Sequence, residues 1–178
     1  HPHIISVLDY GFDAQQMPFF TMTYLPDVQT ILQAGSVLNI DDKITLIQQL
    51  LQALAYLHRQ GIIHRDLKPK NVLVSAQKVR VLDFGLSVRQ NGGQEATSGG
   101  TLLYMAPELL RREQATVASD LYAVGVMVYE LLAGRHPFDS KSGQFARQVQ
   151  VDEPDLTLLG VDDGLAAVVG RLLAKEPA

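Results

Sequence analysis

The sequence predicts an α+β fold. Short β-branched runs separated by turn residues indicate strands, and longer stretches with apolar side chains at helical spacing indicate amphipathic helices. The strands are predicted early and in the middle of the chain, whereas the later part is mainly helical. With 178 residues, of which 47% are hydrophobic, the chain is long enough to bury a sizeable core.

Two strands are predicted near the beginning of the chain. Residues 4–10 alternate loosely between apolar and polar side chains, and Gly11 is expected to turn the chain. Residues 18–24 form the second run. From this segment alone, a plain core strand explains the pattern nearly as well as any functional role.

A long amphipathic helix is predicted over residues 40–60. Asn39 or Asp41 is expected to cap its start and Gly61 to end it, while His58 is expected to pack or to interact with the helix dipole. The apolar residues that recur at helical spacing are Ile44, Ile47, Leu50, Leu51, Leu54 and Leu57.

The rest of the chain predicts a hairpin and further helices. Residues 72–74 and 79–82 are β-branched runs separated by a polar turn. A helix is predicted over residues 119–133, with Ser119 as its cap and Gly134 at its end. Residues 162–174 predict another amphipathic helix.

Composition and charge exclude several classes of function. The net charge of −4 disfavours a nucleic-acid partner, which would favour a basic face. The absence of cysteine excludes disulfides and thiol catalysis, and it is compatible with a reducing compartment, so we expect a cytoplasmic location. The longest apolar stretch, residues 121–133, contains Glu130 and is too short for a membrane span.

Three motifs occur in order along the chain. They are His64-Arg65-Asp66-Leu67-Lys68-Pro69-Lys70-Asn71, then Asp83-Phe84-Gly85, then Ala106-Pro107-Glu108. Each alone is typical of a turn or a cap. Together they resemble the catalytic and activation segments of eukaryotic-type (Hanks-type) serine/threonine protein kinases, and the resemblance favours the bacterial members of that family. The resemblance implies a partial protein-kinase-like fold, comprising the end of the β-rich small lobe and most of the helical large lobe.

The resemblance also implies ATP and Mg²⁺ as cofactors and protein serine or threonine hydroxyls as acceptors. Asp66 would accept the proton of the substrate hydroxyl, and Lys68 would steady the transferring phosphoryl group. Asn71 and Asp83 offer the hard oxygen ligands that Mg²⁺ prefers. The Thr101 hydroxyl would bridge Asp66 and Lys68, and Lys68 together with Thr101 favours serine/threonine over tyrosine specificity.

Adenine binding is assigned by the same resemblance. Met22 corresponds to the gatekeeper position, and the backbone from Thr23 to Leu25 would hydrogen-bond the adenine edge. Leu73 would form the apolar floor under the base. The resemblance places residues 1–25 at the end of the small lobe and in the hinge, and residues 26–178 in a truncated large lobe.

Four further residues receive roles from the resemblance. His64 is expected to pack internally and to hydrogen-bond the backbone near Asp83, a role favoured over proton transfer. Asp120 is expected to hold the backbone of the loop that contains Asp66. Thr97 or Ser98 is a candidate regulatory phosphorylation site, and an unmodified polar loop is an equally good interpretation.

The chain departs from the family pattern in two ways. Lys70 stands where an acidic residue often precedes the metal-binding Asn, and no Gly-rich loop or Val-Ala-Ile-Lys strand occurs in the sequence. We therefore expect an internal fragment that is inactive alone, from a protein that is an active kinase. The alternative is a pseudokinase-like binding or scaffold module within a larger signalling protein.

Overall fold

The computed structural model describes residues 1–82 and 102–176. The predictions made for Asp83, Phe84, Thr97, Ser98 and Thr101 lie outside these ranges. The described strands are β1 (Val7–Phe12), β2 (Pro18–Met22), β3 (Gln29–Thr30), β4 (Val72–Ser75) and β5 (Lys78–Val81). The described helices are α1 (Ile31–Gly35), α2 (Ile40–Arg59), α3 (Pro107–Leu110), α4 (Val117–Ala133), α5 (Phe145–Val151) and α6 (Asp163–Leu172), with 3₁₀ turns at Pro69–Asn71 and Leu156–Leu159.

Strands β1 and β2 form an antiparallel hairpin, as the early apolar runs predict. The expected turn at Gly11 was wrong, because Gly11 pairs with Phe19 inside the hairpin. The chain turns instead after Asp13, whose carboxylate accepts hydrogen bonds from the amides of Gln15 and Met17 at 2.9 and 2.8 Å. The Asp13 side chain thus satisfies the amides of the turn. Glycine has no side chain and cannot accept these hydrogen bonds.

Strands β3, β4 and β5 form a second antiparallel sheet in that order. The predicted hairpin of β4 and β5 is confirmed, with Val72 opposite Val81 and Ser75 opposite Lys78. The segment before β1 runs beside β5, where the Ile5 amide donates to the Val81 carbonyl at 3.0 Å. This sheet therefore fixes both ends of the segment that leads from Asn71 to Leu82.

Helix α2 begins and ends close to the predicted positions. The Asn39 side chain accepts the Asp42 amide and caps the start, and the chain leaves the helix through Gly61, which has a φ of 71°. A left-handed φ favours glycine because it has no Cβ. The buried face of α2 consists of Leu46, Ile47, Leu50, Ala53, Leu54 and Leu57.

Helix α4 lies at the centre of the described core and is buried on nearly every face. It begins at Val117, two residues before the predicted start, so the prediction of Ser119 as its cap was wrong. Ser119 stands at the third helical position, and its hydroxyl accepts the Thr116 amide at 3.0 Å. The end at Gly134 is confirmed, with a φ of 70°.

The predicted tail helix is confirmed as α6, which Asp162 caps.

Among the helices of residues 1–82 and 102–176, none is long and apolar enough to cross a membrane. The apolar character of α4 instead serves its burial among the other helices.

Candidate active site

The loop between α2 and β4 brings three predicted site residues together. The Asp66 carboxylate lies 2.8 Å from the Lys68 Nζ through one oxygen and 3.0 Å through the other. Asn71 closes the loop, since its Nδ2 donates to the Asp66 carbonyl at 2.8 Å and to the Asp66 carboxylate at 3.1 Å. Asp66 keeps partial exposure, with 31% of its side chain accessible. A carboxylate, an ammonium and an amide thus converge at one half-open position.

The orientation of the Asn71 amide fits a metal ligand. Because Nδ2 is committed to Asp66, the Oδ1 atom points elsewhere, and among the described residues it carries no hydrogen bond. An amide oxygen is one of the hard donors that Mg²⁺ accepts. The Asn71 carbonyl also accepts the Leu82 amide at 2.9 Å, which brings residue 82 beside the loop. Asp83, the other predicted ligand, lies outside the described residues.

Asp120 holds the loop from the side of α4. Asp120 is 2% exposed, and its carboxylate accepts the amides of His64 at 2.8 Å and Arg65 at 2.9 Å. The expected role of Asp120 is therefore confirmed. Arg65 has a φ of 71°, a strained value for a residue other than glycine, and the hydrogen bond to Asp120 fixes its amide in this conformation.

His58 makes a contact that the sequence analysis did not predict. Its Nε2 lies 2.8 Å from the same Asp120 carboxylate, although the two residues are 62 positions apart. A carboxylate accepts hydrogen bonds, so this nitrogen is the donor. One buried side chain therefore joins the end of α2, the loop and the start of α4.

His64 is fully buried and uses both ring nitrogens. Nδ1 faces the Asp66 amide at 3.4 Å and accepts from it, so the proton is on Nε2, which donates to the Leu82 carbonyl at 2.8 Å. Burial lowers the pKa of His64, more than the bond to Leu82 and the nearby carboxylates raise it. The predicted packing role is confirmed, because the ring connects the loop to the residue before Asp83.

The predicted adenine-binding residues lie on β2, the segment after it, and β4. Met22 ends β2 and is half-buried, as are Leu25 and Leu73. The Thr23 amide donates to the Ser6 carbonyl at 3.0 Å, so this amide is committed to the hairpin. Among the described residues, no hydrogen bond uses the backbone of Leu25. Within the described part of the chain, the backbone groups that remain for a purine edge are thus the Thr23 carbonyl and the groups that follow it.

The segment before α3 lies against the loop. Tyr104 and Met105 line a small pocket together with Arg65 and Asp66. The Tyr104 hydroxyl donates to the Glu130 carboxylate at 2.7 Å, which ties this segment to the end of α4. Residues 104–105 therefore lie beside the loop that contains Asp66.

Glu108, in the Ala-Pro-Glu motif, is held by a second unpredicted contact. Glu108 is 4% exposed, and its carboxylate accepts a hydrogen bond from the Ser119 hydroxyl at 2.6 Å. The only sequence signal for this contact is the position of Ser119 three residues after Thr116, which is typical of a helix start. A pattern of this kind predicts a cap, but not a partner on another helix.

Comparison with known proteins agrees with the geometry. Residues 1–164 match the family model described as the protein kinase domain. Over 99% of this chain, the sequence is 41% identical to a probable serine/threonine-protein kinase of Lactococcus lactis. Over the whole of this chain, it is 36% identical to a serine/threonine-protein kinase of Myxococcus xanthus. A probable serine/threonine-protein kinase of Bifidobacterium longum is 33% identical over 99% of the chain. The chain spans 30%, 36% and 24% of the lengths of these relatives, respectively.

Proposed function

Because this chain belongs to the protein kinase family, we propose that the protein carrying it transfers the γ-phosphoryl group of ATP to serine or threonine hydroxyls of protein substrates. The observation that supports the proposal most directly is the convergence of Asp66, Lys68 and Asn71. The names of the relatives, all serine/threonine-protein kinases, support the choice of acceptor.

Asp66 and Lys68 have the geometry for the two roles nearest the transferred group. The Asp66 carboxylate is half-open, so it can orient an acceptor hydroxyl and receive its proton. Lys68 lies within 3 Å of this carboxylate, at a position from which an ammonium can stabilise charge on a phosphoryl group. Thr101, proposed to bridge these two residues, completes the catalytic set.

The remaining roles concern nucleotide and metal. Asn71, through Oδ1, and Asp83 would hold Mg²⁺, and the metal would neutralise negative charge on the phosphates. Met22, Thr23, Leu25 and Leu73 would surround the adenine, with hydrogen bonds from the backbone after Met22. Family membership supports ATP and a divalent metal in general, and the assignment to these residues is part of the proposal.

Phosphate transfer from labelled ATP tests the proposal. The intact protein should label a protein substrate on serine or threonine, and Asp66→Asn and Asp83→Asn should each abolish the labelling. Asp41→Asn is the matched control, since it makes the same chemical change at an exposed carboxylate in the first turn of α2 and should leave labelling unchanged. If the folded wild type labels no substrate with Mg²⁺ or Mn²⁺ present, the protein is a binding or scaffold module instead.

A further inference from the structure

His136 connects two parts of the chain that the sequence leaves unrelated. It lies in the turn after α4, and its Nε2 is 2.9 Å from the Leu103 carbonyl. Its Nδ1 faces the backbone of Phe138, with the amide at 3.1 Å and the carbonyl at 2.9 Å. The ring thus spans from the end of α4 to the segment that precedes the Ala-Pro-Glu motif.

The bond from His136 to Leu103 exists in either protonation state of the ring. In the neutral form with the proton on Nε2, this nitrogen donates to the Leu103 carbonyl while Nδ1 accepts the Phe138 amide. In the charged form, both nitrogens donate, one to Leu103 and the other to the Phe138 carbonyl. Because a carbonyl oxygen only accepts hydrogen bonds, Nε2 carries the proton in both of these forms and donates to Leu103.

Aromatic side chains fix the direction of this donor. The ring centroid of His136 lies 5.5 Å from that of Phe145, 6.1 Å from Phe138 and 6.3 Å from Tyr104. Such packing restricts the rotation of the imidazole, so the Nε2 proton stays aimed at the segment. The Lys175 ammonium covers Phe138 at 4.2 Å from the ring centroid and closes the cluster on one side.

The held segment leads to the candidate active site. Leu103 is followed by Tyr104 and Met105, which lie beside Arg65 and Asp66 across a small cavity. We propose that His136 is a positioning residue. It holds residues 103–105 in the conformation that binds the polypeptide carrying the acceptor hydroxyl. This inference rests on the proposed kinase function. It adds a residue outside the kinase motifs, 33 positions from Leu103, as a determinant of protein-substrate binding.

Steady-state kinetics of the intact protein with His136→Leu and His136→Gln test the inference. Losing one hydrogen bond to the segment should raise KM for the protein substrate about three- to tenfold with KM for ATP unchanged. Gln can donate from the position of Nε2, so His136→Gln should stay within about twofold of the wild type. Phe145→Leu loosens the packing around the imidazole but keeps the hydrogen bond, so its KM for protein should rise less than that of His136→Leu.

Amide hydrogen exchange at residues 103–105 provides a readout that does not depend on activity. Exchange should be faster in His136→Leu and unchanged in His136→Gln. An unchanged protein KM in an active His136→Leu variant, a parallel rise in KM for ATP, or unchanged exchange would overturn the inference. A wild type that transfers no phosphate contradicts the proposed function itself, and this result is distinct from any of those three.

Discussion

Asp120 shows how a single residue can organise the candidate site. Its carboxylate accepts two backbone amides of the loop and the His58 imidazole, all within 2.9 Å. Hydrogen bonds from several donors offset the desolvation of a buried carboxylate. The position of Asp66 therefore depends on a buried side chain that belongs to another element, α4.

Replacing Asp120 with Ala should lower the free energy of unfolding by about 3 kcal/mol, because buried donors at His64 and Arg65 lose their acceptor. Asp120→Asn keeps the shape and one acceptor oxygen, so its cost should be smaller. Urea denaturation of the two variants measures both values. A cost below about 1 kcal/mol for the Ala variant would show that the loop is held by other contacts.

His64 should make stability depend on pH. Its pKa is lowered in the folded state, mainly by burial, from an ordinary value of 6.5. Below pH 6.5 the unfolded chain binds a proton that the folded ring does not, so stability is full above pH 6.5 and falls as the pH decreases toward the folded pKa. The loss from this group is at most about 1.4 kcal/mol per pH unit.

The matched variant for this test is His64→Gln, which can still donate to the Leu82 carbonyl but does not titrate. Denaturation midpoints at pH 5.5 and 7.5 should differ less in the variant than in the wild type. Equal pH dependence in both proteins would mean that other groups cause it.

At the scale of elements, the packing of α4 against α6 depends on Gly125. A Cβ at this position would lie 2.8 Å from the Leu172 Cβ and 3.2 Å from the Leu172 carbonyl carbon. These atoms belong to the partner helix and cannot rotate away, so the two helices would have to separate.

Gly125→Ala should therefore destabilise the protein by about 1–3 kcal/mol, although Ala is the better helix former. The control is Gly170→Ala in α6, where a Cβ would meet only the Leu156 Cδ1 at 2.9 Å, the movable end of a side chain. In thermal or urea unfolding, the Gly125→Ala variant should be clearly less stable than the Gly170→Ala variant. Equal costs would contradict the close approach of the helices.

Elements with complete local signals could be predicted from the sequence. Helix α2 combines an apolar repeat with a capping Asn39 and a terminal Gly61, so both ends were found within a residue. The start of α4 was misplaced by two residues, because Thr116 and Ser119 can both cap a helix. The turn at Gly11 was wrong because strand pairing with Phe19 across the hairpin decides that position.

At the scale of the whole molecule, the motif from His64 to Asn71 predicted which side chains meet at the site. The contacts from His58 to Asp120 and from His136 to Leu103 were not predictable, since they join residues 62 and 33 positions apart and leave no periodic pattern. The sequence thus identified residues that meet at the candidate site, while the structure identified the contacts that hold them in place. The roles of Asp83 and Thr101 stay predictions.

We propose that phosphoryl transfer takes place at the loop containing Asp66. The most direct test is the single-turnover rate of phosphate transfer by the intact protein at saturating Mg²⁺ and ATP, with ATP affinity measured in parallel. The rate for Asp66→Asn should fall at least about 100-fold with ATP affinity unchanged, since a positioned base contributes about 10²–10⁴-fold. A rate within about twofold of the wild type would contradict the assignment of Asp66 and the proposal built on it.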